Sequence, residues 1–205
     1  MGFGGGSNKS AEAARQAEEA RQAAIKNTQS RVNAVFDGPG RASEIADYVN
    51  ATRDFYTGEL NRQKTDTDRE LKFALARGGL TGGSTQIDQG KRFADAYARG
   101  SLDVERKAQG AGASVEAADQ DARARLISLA TSGLDATTGA QQAAAALRTN
   151  LEAGRADRNF AGVSDAFSSF KTFLDRSREA ADRRRANRDT GFSYYGSGDT
   201  GGYGR

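Results

Sequence analysis

Four glycines in six positions, Gly78, Gly79, Gly82 and Gly83 within ALARGGLTGGSTQID, are the first residues whose type and spacing could do chemistry. A glycine-rich loop ahead of a helix can offer its N–H groups to a phosphate. The spacing does not fit. A P-loop places a lysine and then Ser or Thr after its last glycine, whereas Gly83 is followed by Ser84 and Thr85, and GGLTGG contains no GxG pair of a dinucleotide fingerprint. The better reading is a hinge between two helices. Gly78 or Gly79 would end the first in a left-handed conformation, and Thr85 with Asp88 would form a capping box for the second.

TDTDRE, Thr65 to Glu70, places acidic residues at the alternating positions that open a calcium loop. Position six of that loop would be Leu71 instead of glycine, and position twelve Arg77 instead of glutamate, so these residues read as the wet face of a helix. The chain has no His and no Cys. That removes Ser-His-Asp triads, Cys-His pairs, ordinary zinc and haem sites, and any disulfide framework. Carboxylate pairs could be drawn at will among 27 Asp and Glu, and none is singled out. The expectation is a noncatalytic protein with no cofactor and no metal.

Two surfaces remain. Six arginines crowd residues 176 to 188, but four interleaved acids leave a net +2 over residues 175 to 189, the pattern of a solvated, internally paired helix rather than a dedicated phosphate groove. Ahead of them Phe160, Val163, Phe167, Phe170, Phe173 and Leu174 form an apolar stripe. It is either core or a face for an oligomer partner or a lipid surface.

The elements that must position these residues read as helices. Pro39 is the only proline, and Ala, Arg, Glu, Gln and Leu dominate between the glycine clusters, with no alternating strand pattern of useful length. The first helix, 9 to 36, opens on AEAARQAEEARQAA, and DGPG at 37–40 stops it. A second runs from about Ser43 to Arg77, weakened but not broken by Gly58. A third starts at Thr85, with Gly110 and Gly112 as expected interruptions, and ends near Gly133. The fourth is capped by Asp135, or by Thr138 with Gln141, and the last spans about Val163 to Arg188. The fold class is therefore all-α, with long amphipathic helices joined by glycine-rich hinges near 37–40, 78–84 and 133–138. In order, the segments are a flexible glycine-rich start (1–8), an extended helical region (9–158), an amphipathic then charged helix (159–189) and a low-complexity Gly/Tyr tail (190–205).

Hydrophobic residues make up 37% of the chain, much of it Ala, and Trp is absent, so burial should be thin and the chain extended rather than compact. Net charge is only +3. The excess of Arg over Lys reads as GC-rich coding, which would also enrich Ala and Gly. No run of about 18 apolar residues exists, and MGFGGGSNKS fits neither a signal peptide nor a myristoylation signal.

The glycine-rich start, the Ala/Gln/Arg helix, LKFALARGGLTGGSTQIDQGKRFADAY and ARARLISLATSGLDATTGAQQAAAALRTNL together resemble the internal virion proteins of short-tailed bacteriophages. They are similar in particular to the smallest core or ejection protein of that group, over roughly residues 1 to 155. The resemblance implies a protein packaged near the portal and expelled before the genome. Such proteins rebuild as part of a conduit across the host envelope, the smallest member at the outer membrane. It carries no functional-residue motif onto individual positions. The implied partners are further copies of the chain, other core, portal or tail proteins, the host outer membrane, and phage DNA in nonspecific contact. Two other classes fit the same residues: a portal, tail-adaptor or scaffolding component, and a weak DNA-binding helical protein.

Overall fold

Local propensity and the near absence of proline make the helix the favoured backbone state along most of this chain. The computed structural model describes residues 6–160 and 166–192, and there the protein is all-helical. Among the described residues five helices follow one another: α1 (Gly6–Phe36), α2 (Pro39–Gly78), α3 (Ser84–Thr131), α4 (Ala136–Phe160) and α5 (Ser168–Phe192). The tail expected beyond residue 192 lies outside the described residues.

Several boundaries differ from the sequence expectation for identifiable reasons. α1 starts at Gly6, inside the segment expected to be flexible. α2 starts at Pro39 and not near Ser43. Proline at the first helical position has its φ preset and lacks only an N–H that would be unpaired anyway, and the Gly38 carbonyl accepts from the Arg41 N–H at 3.0 Å. DGPG therefore ends one helix and begins the next. α3 runs through Gly110 and Gly112 unbroken. Gly112 is required by packing: a Cβ there would lie 2.6 Å from Val49 Cγ2.

The chain divides into two units, each assembled from two separate stretches: Met1–Phe55 with Glu105–Gly162, and Tyr56–Val104 with Val163–Arg205. The sequence reading cut the chain in order. The structure shares the two longest helices, α2 and α3, between the units.

In the first unit, Val32 and Phe36 of α1 meet Leu126 of α3 and Ala143 and Leu147 of α4. α1 approaches α4 closely where Gly139 faces Thr28 and Val32. Buried Thr28 keeps its hydroxyl satisfied at 2.9 Å from the Ala24 carbonyl and 3.1 Å from that of Leu134. The first turns of α1 behave as their alanine content implies: residues 9 to 24 are exposed.

In the second unit, Tyr56, Leu60, Leu71, Ala74 and Leu75 of α2, Ala96 and Val104 of α3, and Phe167, Phe170 and Leu174 form one cluster. Each cluster gathers only part of the large apolar side chains its helices carry, while Phe55, Phe73, Ile87, Leu102 and Leu129 stay exposed.

Candidate functional site

The glycine joint is built as a helix end and a helix start. The Leu80 N–H donates to the Leu75 carbonyl at 2.9 Å and the Gly79 N–H to that of Ala76 at 3.1 Å, the paired bonds of a Schellman ending. Gly79 has φ +66°, a left-handed conformation that a side chain would oppose. The same bond pair recurs at Gly133 and Leu134, which close α3. The start of α3 departs from the expected Thr85–Asp88 box. The helix begins at Ser84, so the capping position is Gly83, and Gln86 reaches back to accept from the Gly82 N–H at 2.5 Å. Gly78, Gly79, Gly82 and Gly83 thus close and open helices. α4 takes the first of its two expected caps: Asp135 Oδ1 accepts from the Thr137 and Thr138 N–H groups, both at 3.0 Å. A bond from the Thr138 side chain, and then these backbone bonds, lower the Asp135 pKa.

TDTDRE lies inside α2. Asp68 pairs with Lys72 at 2.6 Å, and Glu70 faces Arg178 at 3.4 Å. Among the described residues no group of three or more acidic side chains is placed to hold a metal ion.

The apolar stripe is core where the structure describes it. Phe167 is 2% exposed, Phe170 3% and Leu174 5%, and Phe173 is half-buried against the same cluster. Phe93 of α3 holds the first two, stacked on Phe167 at 5.1 Å between ring centroids and edge-on to Phe170 at 5.7 Å. In this conformation Phe167, Phe170 and Leu174 present no face to a partner or a lipid. Phe160 closes α4 with its side chain outside the described residues, as is Val163 altogether.

Two features escaped sequence reading. In the first unit, Arg41 and Asp119 form a buried ion pair, joined by Glu44 at 2.9 Å from Arg41 and by the Asn150 amide, which donates to Asp119 at 2.9 Å. Burial works against the Arg41 charge, but hydrogen bonds to Asp119 and then Glu44 outweigh it and raise its pKa. Beside this node the Tyr48 hydroxyl donates to the Gly154 carbonyl at 2.7 Å. These bonds tie α2, α3 and α4 together, a structural role for each of the groups that make them.

In the second unit, α3 and the start of α5 enclose a cleft of about 490 Å³ lined by Gln89, Arg92, Arg99, Ser169, Phe170, Thr172, Phe173 and Arg176. Among the described residues no acidic side chain lines it. Arg92 and Arg99 are seven residues apart, two turns of one helix, so they share a face. Their partner Arg176 comes from a different helix, which no spacing rule in the sequence could supply.

Compared with known proteins, the chain matches no family model, no curated protein and no solved structure. Its own residues therefore carry the functional reading.

Proposed function

We propose that this chain is a noncatalytic bacteriophage virion protein, expelled into the host envelope, where further copies assemble into a helical channel that helps deliver the genome. The observation that carries the reading is the construction of its joints. At Gly79 and Gly133 each helix satisfies its last carbonyls with bonds inside its own end, so the helix on either side can swing without exposing unpaired backbone. Glycine-rich joints of this kind suit a protein that is packed in one arrangement and rebuilt in another, and the exposed alanine-rich start of α1 offers helix surface for neighbouring copies.

The aromatic stripe fits the same reading as a switch: core in the free chain, and available to partners or a membrane once the joint at 78–84 opens. Among the described residues no helix is long and apolar enough to cross a membrane, so membrane contact would come from amphipathic faces assembled side by side.

The test follows the protein through infection. Virions carrying a tagged copy are adsorbed to cells, and the envelope fraction and the empty particles are separated and probed. Recovery in the envelope supports ejection. Retention in the particle would sink it in favour of a portal, tail-adaptor or scaffolding role.

A further inference from the structure

The cleft between α3 and the start of α5 brings Arg92, Arg99 and Arg176 around one recess together with the hydroxyls of Ser169 and Thr172 and the amide of Gln89. Two other arginines of α5 are ion-paired: Arg178 lies 3.7 Å from Asp175 and Arg183 3.7 Å from Glu179. The cleft arginines are not so engaged among the described residues. Arg99 bonds the backbone carbonyl of Asp95, at 3.3 Å, and among the described residues no ion pair engages Arg92 or Arg176. Three guanidinium groups facing one recess with no described acidic side chain in its lining repel one another, and an anion that accepts from several of them at once relieves that repulsion. Ser169 also stands in the first turn of α5, where helix N–H groups favour negative charge.

We propose that this cleft is a phosphate-binding site and that its occupant is the phosphodiester backbone of DNA. The surroundings favour a polymer over a single headgroup. A second groove of about 340 Å³ adjoins the cleft, sharing Phe173 and Arg176 with it, and carries Arg77 and Arg184. Arg184 lies eight residues beyond Arg176, about 12 Å along the helix. One headgroup fills one recess, whereas a strand with a phosphate about every 3.4 Å of duplex axis reaches both. A membrane surface is the poorer occupant of the cleft, because its apolar residues face inward: Phe170 is buried and Phe173 half-buried. The site meets the backbone and not base edges, so binding is independent of sequence and steep in salt. It stands whether or not the chain is ejected, and the test uses purified full-length protein.

The experiment is fluorescence anisotropy of a short labelled duplex DNA against wild type, the triple variant R92Q/R99Q/R176Q and the control R148Q. The three cleft arginines are exposed, so circular dichroism should show unchanged helicity. The single variant R92Q serves should the triple fail to fold. The triple variant should bind about tenfold or more weaker, with the slope of log K against log salt shallower by about 0.9 for each phosphate that is no longer neutralised. R148Q, in the other unit, should bind as wild type does. Equal weakening by R148Q, or no weakening by the cleft variants, overturns the site. Binding to phosphatidylglycerol vesicles or to inorganic phosphate without affinity for DNA overturns the occupant.

Discussion

Arg41 and Asp119, 78 residues apart in sequence, meet in two parallel hydrogen bonds, Nε to Oδ2 at 2.7 Å and Nη2 to Oδ1 at 2.9 Å, with both side chains shielded from water. Removing Asp119 leaves the shielded Arg41 charge with only Glu44, a solvent-exposed partner, to offset it. Asp119→Ala should therefore destabilise the first unit by about 3–5 kcal/mol, whereas replacing both partners by Met and Leu should cost far less. Urea denaturation of the two variants decides the point. Equal losses would mean that the side-chain shapes matter more than the charges.

Two glycines of α3, two residues apart, should respond in opposite directions. A Cβ at Gly112 would press on Val49, a stiff β-branched residue, so Gly112→Ala should cost about 1–3 kcal/mol through overpacking. At Gly110 there is open space, and Gly110→Ala should stabilise by about 0.5–1 kcal/mol through helix propensity. Thermal melts that move the same way for both would show that packing at Gly112 relaxes freely.

Glu105 accepts two bonds from Arg53, at 2.6 and 3.0 Å, and one from Gln109. The Arg53 bond, then that of Gln109, lowers its pKa to about 2 from an ordinary 4.5. A carboxylate depressed in this way contributes stability that is complete above the ordinary value and lost as pH falls through the depressed one. The melting-temperature gap between wild type and Glu105→Gln should be present near neutral pH and shrink between about pH 4.5 and about 2. The group is solvent-exposed, so the gap should also narrow in high salt.

Phe167 is the most enclosed member of the aromatic cluster around Phe93. Phe167→Ala should cost about 3–5 kcal/mol, the usual range for emptying a buried ring site. Hydrogen exchange should place that loss within residues 56–104 and the start of α5. Unchanged protection there would imply that the ring contributes little to the core.

Helix content was legible because it rests on local propensity. The cap at Asp135, the end at Gly79 and the stop at DGPG use residues whose chemistry is confined to one turn. The start of α2 differs for a local reason, proline's fit to the first helical position, whereas the continuity of α3 rests on tertiary packing: Gly112 is a clearance for Val49, and nothing in its neighbours says so. What covers Phe167, Phe170 and Leu174 of the phenylalanine stripe was not legible, since Phe93 lies 74 residues away from Phe167 in the chain. The arginine cleft was hidden for the same reason. The sequence drew attention to the six arginines after residue 175, most of which alternate with acids, while the cleft needs only Arg176 of these and takes the other two from α3.

The division of α2 and α3 between two cores sets an order in time. During synthesis residues 56–104 leave the ribosome before any of the chain that completes their unit, and residues 105–162, which belong to the other one, follow first. Phe93 thus waits more than seventy residues for the two rings that enclose it, and the chain needed for the first core is complete before that of the second.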